Sequence, residues 1–113
     1  MYDQAQEAGQ VAGATADALQ AMLYPGDELR GPRDDLPPEA QQALDAAIKA
    51  LGVAEDALAP GIGQPDVQTG RGKLAEAREL LAPLVNALWM QQGLRDLIRR
   101  TVESIDRASR LVA

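Results

Sequence analysis

The sequence predicts an all-α fold: a three-helix bundle with a long, kinked or broken third helix, or four helices if that segment breaks near Gly93. Three observations predict it. Alanine occurs 21 times in 113 residues, Phe is absent, and Tyr2, Tyr24 and Trp89 are the only aromatics. Alanine is the best helix former, whereas strands draw on β-branched and aromatic residues. Apolar residues recur at spacings of three and four, which places them on one helical face. Pro and Gly gather in two stretches that divide the chain into three segments, within a length typical of one domain, 1–113.

The first segment, about residues 3–24, carries Ala5, Ala8, Ala12, Ala16, Leu19 and Leu23 on one stripe. Gly9 and Gly13 lie inside it, each less favourable than Ala by about 1 kcal/mol, so this helix needs a partner. Tyr24-Pro25-Gly26 ends it, because Pro25 disfavours helical geometry at the residue before it. Residues 25–37 read as a loop. Pro37-Pro38-Glu39 then opens the second segment, 38–59, since Pro loses no hydrogen bond in the first helical turn. Asp35 is a candidate cap. Leu44, Leu51 and Leu58 recur every seven residues with Ala40, Ala47 and Ala54 between them, and Ile48 broadens the stripe. Small residues along such a seam let two backbones approach closely. Gly52 marks either a close crossing or a weak spot.

Pro60 to Pro65 ends the second helix. The third segment starts at Asp66, a candidate N-cap, or after Gly72, and runs to about residue 111. Leu74, Ala77, Leu81, Leu84 and Leu88 form one stripe, and Leu94, Ile98, Thr101, Ile105, Ala108 and Val112 another. The six-residue step from Leu88 to Leu94 breaks the rhythm, and Pro83 is expected to kink the helix. The predicted core is Leu19, Leu23, Leu44, Ile48, Leu51, Leu58, Leu74, Leu81, Leu84, Leu88, Ile98 and Ile105.

Composition excludes much chemistry. Without Cys or His there is no thiol nucleophile, disulfide, thiolate or imidazole metal site, or His-dependent triad. No metal ligand set, cofactor site or catalytic group is expected, and the chain is read as non-enzymatic. Gly61 and Gly63 share a spacing with dinucleotide fingerprints, but Asp66 stands in the third glycine position. Gly72-Lys73 resembles part of a phosphate loop, yet Val67 and Leu74 occupy its first glycine and its hydroxyl positions. Paired acids at Asp27/Glu28, Asp34/Asp35, Glu55/Asp56 and Glu76/Glu79 read as solvated carboxylates. Adjacent helical residues diverge by about 100°, and Lys73 and Arg78 stand beside Glu76 and Glu79.

No apolar run of about 18 residues is present, so no membrane span is expected. The N-terminus lacks a basic region followed by an apolar run, which points to a cytoplasmic protein. Nine of the 11 basic residues are Arg, which with abundant Ala suggests a bacterial or phage coding sequence.

The net charge of −6 is uneven. Residues 1–70 hold 12 acids and 3 bases, and residues 71–113 hold 5 acids and 8 bases. The last helix is therefore expected to dock on the acidic first two. From Leu94 onward, Ile98, Ile105 and Val112 take one heptad position and Leu94, Thr101 and Ala108 the other, the pattern of an amphipathic helix that either lies on its own domain or pairs with a second helix. Arg95, Arg99, Arg100, Arg107 and Arg110 form a basic face beside this seam. Around Trp89, the residues Leu84, Val85, Leu88 and Met90 are apolar on more than one face, more than a single seam buries.

These features predict a helical protein–protein interaction module, such as an adaptor, chaperone or assembly subunit. A homodimer is expected, with Val85, Trp89, Met90, Leu94, Ile98, Ile105 and Val112 as candidate interface residues. The second reading is a small nucleic-acid-binding regulator using the C-terminal arginines, against which stands the net negative charge. The third rests on Tyr24-Pro25-Gly26-Asp27-Glu28, which resembles the Tyr-x-x-x-Asp/Glu signal of proteins exported by the type VII system. Those are short, Ala-rich, Cys-free helical hairpins, and the resemblance implies an exported helical partner protein. The chain departs from that family in lacking a Trp-x-Gly turn, and its signal follows the first helix rather than a hairpin.

Overall fold

The structure, a computed structural model, describes residues 2–24, 36–59, 66–87 and 92–112, without the side chains of residues 2 and 3. It contains four helices: α1 (Tyr2–Leu23), α2 (Pro38–Leu58), α3 (Val67–Val85) and α4 (Gln92–Leu111). No strand occurs among the described residues. The third segment is two helices, which displaces the three-helix reading. The break lies between Val85 and Gln92, near Gly93, which sits in the first turn of α4.

Each boundary has a local cause. Pro37 and Pro38 occupy the start of α2, where a missing N–H leaves nothing unsatisfied. Gln41 Nε2 there donates to the Leu36 carbonyl at 2.9 Å. Asp66 caps α3, accepting from the Thr69 N–H at 3.1 Å and from the Thr69 hydroxyl at 2.6 Å. The Asp66 N–H donates to the Ala57 carbonyl at 2.8 Å, which fastens the start of α3 to the end of α2. Pro83 stands two residues before the last residue of α3. Its ring removes one ladder bond and crowds the preceding turn, and here the helix stops soon after it. Asp35, proposed as a cap, lies outside the described residues.

The helices form a ring in which each packs against its two neighbours, α1 on α2, α2 on α3, α3 on α4 and α4 on α1. The α2 contacts are the most extensive, and α2 and α4 stand diagonally opposite, with no backbone approach between them. Gly9 lies against Leu58 and Gly13 against Glu55, so α1 and α2 run antiparallel. The six residues between Val85 and Gln92 span at most ~25 Å, less than the ~28 Å length of α3, so α4 returns antiparallel to α3. An up-down-up-down four-helix bundle results, with α4 antiparallel to α1. The basic third segment thus docks on the first two helices, its α3 half on α2 and its α4 half on α1, while α3 and α4 also pack on each other.

The core is built as the stripes specify. Leu19, Leu23, Leu44, Leu51, Leu58, Leu74, Leu81, Ile98 and Ile105 are all fully buried, each contributing about 1.5–3 kcal/mol relative to exposure. Ala5, Ala8 and Ala12 on α1, and Ala40, Ala47 and Ala54 on α2, fill the spaces between them. Leu84 is buried as expected, and Ile48 is only half-buried at the edge of the core. Leu88 lies outside the described residues.

Glycine marks the closest approaches. A Cβ on Gly9 would meet Leu58 Cβ at 3.2 Å, and one on Gly70 would meet Leu58 Cγ at 2.6 Å. The Leu58 side chain thus lies between bare backbone of α1 and bare backbone of α3. Gly52 has nothing within 4 Å, so it is a weak spot in α2 rather than a crossing.

Candidate functional site

The expected interface seam is spent inside the bundle. Leu94, Ile98, Ile105 and Val112 are 7%, 0%, 1% and 7% exposed, and Thr101 and Ala108 are buried beside them. A heptad seam requires cover, but its spacing does not state which chain supplies it. Here α1 and α3 do. Val85 is half-buried against the same core. Trp89 and Met90 lie outside the described residues, as do Pro25–Glu28; Tyr24 closes α1, donating its N–H to the Gln20 carbonyl at 2.8 Å.

The arginines of α4 divide into groups. Arg99 is exposed and pairs with Asp96 at 3.2 Å. Arg95 is half-buried, and its Nε is enclosed without a hydrogen-bond partner. Arg100, Arg107 and Arg110 are exposed, and none of them has an ion-pair partner among the described residues.

Two of these unpaired arginines line an open groove of about 510 Å³ between α1 and α4. Its α1 wall is Glu7, Gln10, Val11, Ala14, Thr15 and Ala18, and its α4 wall is Leu97, Arg100, Thr101, Ser104 and Arg107. The lining is largely apolar. Leu97, 46% exposed, is one of only two large hydrophobic side chains strongly exposed among the described residues. The buried hydroxyls at its floor are satisfied within their own helices: Thr15 donates to the Val11 carbonyl at 2.6 Å and Thr101 to the Leu97 carbonyl at 2.8 Å. They hold no unmet hydrogen-bond demand, so the groups left without partners in the groove are the charged ones at its rim.

The groove has a counterpart in the sequence. Leu97, Arg100, Ser104, Arg107 and Leu111 form a second heptad stripe, each one position before a residue of the buried one. The buried stripe is the more apolar of the two, with Thr101 its only polar member.

The carboxylate pairs form no site. Glu55, Asp56, Glu76 and Glu79 are exposed, and Glu76 pairs with Lys73 at 3.0 Å. Arg78, expected beside Glu79, instead crosses to α4 and donates to Asp106 at 2.6 Å. Asp27/Glu28 and Asp34/Asp35 lie outside the described residues, as do Gly61 and Gly63. Among the described residues no three acidic, His or Cys side chains gather to hold a metal ion. No described helix is long and apolar enough to cross a membrane. The Asp66 carboxyl is held below its ordinary value of 3.8, first by the Thr69 hydroxyl and second by the Thr69 N–H; this is capping chemistry.

Compared with known protein families, curated proteins and solved structures, the chain matches none.

Proposed function

We propose that the protein is a non-enzymatic helical interaction module, an adaptor or assembly subunit that works by receiving another helix. One observation carries this reading: the α1–α4 groove joins an apolar lining and an exposed Leu97 to two unpaired guanidinium groups, Arg100 and Arg107. A partner that covers Leu97 and supplies carboxylates to the arginines gains apolar burial and charge-assisted hydrogen bonds together. The candidate interface thereby moves from the buried Leu94–Val112 seam to the stripe beside it.

The test is affinity capture with the wild-type protein and Leu97→Glu as parallel baits. The reading requires a protein retained by the first and lost by the second. Identical retention by both baits overturns it.

A second reading, nucleic-acid binding, draws on the same unpaired arginines together with Arg110. Retention on heparin that is lost in modest salt supports it, and no retention at low salt dismisses it.

A further inference from the structure

We infer that the occupant of the α1–α4 groove is a second copy of this chain, seated by a two-fold axis running along the groove. The inference rests on the interaction-module reading and names the partner of that same surface.

The argument is one of register and charge. Because α1 and α4 are antiparallel, Glu7 and Arg107 line one end of the groove, and Ala18 and Leu97 the other. A two-fold axis along the groove keeps every residue at its own height and exchanges the walls. The partner's α1 then lies antiparallel over α4, and the partner's α4 over α1. Glu7 of each chain comes opposite Arg107 of the other, and Ala18 opposite Leu97. Four helices surround the former groove in alternating directions, the packing that already builds each bundle.

The two walls are complementary in kind. No basic residue occurs in α1, whose exposed surface carries the carboxylates of Glu7 and Asp17. Across the groove, the α4 wall carries Arg100 and Arg107 and no acid. Within one chain Glu7 and Arg107 make no ion pair, so each retains charge for a partner. Ala14 and Ala18 are exposed and small, so a facing helix approaches closely, and Leu97 supplies the projecting side chain. Two helices of about 30 Å length present roughly 600 Å² per chain. The pair buries about 1,200 Å², the lower end of specific interfaces, so a dimer of moderate affinity is expected.

Sedimentation velocity of the full chain over a wide concentration range tests this. The wild type is expected to reach twice the monomer mass reversibly. Glu7→Arg and Arg107→Glu, each placing like charges at both contacts, are expected to weaken the dimer at least ~10-fold. An equimolar mixture of these two variants restores both opposite-charge contacts between chains and is expected to dimerise again. That recovery in trans is not available to residues acting only within one chain. Leu97→Glu is expected to be monomeric with unchanged helical circular dichroism, because the new carboxylate faces water. A wild type that stays monomeric throughout overturns the inference, as does a mixture no better than its components. A monomeric wild type that still captures a partner in a Leu97-dependent manner overturns self-pairing while leaving the interaction-module reading intact.

Discussion

Leu58 and Gly70 share one space: the leucine's Cγ and Cδ2 stand 2.6 and 2.7 Å from where a Cβ on residue 70 would lie. Gly9 of α1 flanks the same leucine from another side, with its Cβ position 3.2 Å from Leu58 Cβ. The end of α2 is therefore held between two helix backbones, and substitutions there separate helix propensity from packing.

Gly70→Ala is expected to destabilise. Alanine gains up to about 1 kcal/mol of helix propensity, but Leu58 is fully buried and has no room to withdraw, so overpacking costs about 1–3 kcal/mol. Thermal unfolding checks the sign. Leu58→Ala alone should cost about 2–5 kcal/mol through the cavity it leaves. The double variant should be less destabilised than the sum, since the new methyl enters the vacated space.

Gly13→Ala carries a clash that looks as severe, with the Glu55 carboxylate, yet the opposite sign is expected. The obstructing atoms are the far end of an exposed, flexible side chain, which can swing into solvent. The propensity gain then stands, at roughly 0.5–1 kcal/mol. Gly52→Ala and Gly72→Ala should gain similar amounts, because nothing lies within 4 Å of either site. Each should raise Tm by a few degrees.

Asp66 gives the stability a pH dependence. Its carboxyl titrates below 3.8 in the folded chain because Thr69 binds the charged form. The cap's contribution is complete above the unfolded-state value and is lost as pH falls through the lower folded-state value. Asp66→Asn keeps an acceptor for the Thr69 N–H and removes this titration. A comparison of Tm for the two proteins from about pH 6 down to pH 2 should show their curves converging at the acid end. Asp66→Ala should lower Tm at neutral pH.

The Arg78–Asp106 pair joins α3 to α4 at 2.6 Å, but its side chains are 49% and 39% exposed. Asp106→Asn is therefore expected to cost less than about 1 kcal/mol. Chemical denaturation is sensitive enough to measure it. A much larger loss would mean that the pair fixes the packing of α4 on α3.

Much of this fold was legible because it follows from local rules. The Leu44/Leu51/Leu58 period marked a ridge that is fully buried. Asp66 was recognisable as a cap, with Thr69 three residues on. Other features depend on what a residue meets after folding. Gly9, Gly52 and Gly70 look alike in sequence, yet one faces Leu58 Cβ, one faces nothing and one is filled by Leu58's side chain. The six-residue step from Leu88 to Leu94 marked a bend or break near Gly93, and α3 indeed ends at Val85 and α4 begins at Gln92, beside that glycine; what spacing alone left open was whether the segment bends or divides. The seam from Leu94 to Val112 needs cover by its spacing, and Ile98 and Ile105 are buried as core, but spacing alone does not say whether the cover comes from the same chain or another.

The ring of contacts is not evenly strong. Helix α2 has the broadest packing and grips Leu58 between α1 and α3, whereas α4 rests on its neighbours over smaller areas. Transient opening of the native state should therefore begin with α4 lifting away, its amides exchanging with solvent well before those of α2. Such an opening would carry Arg100 and Arg107 away from α1 and dissolve the groove they line.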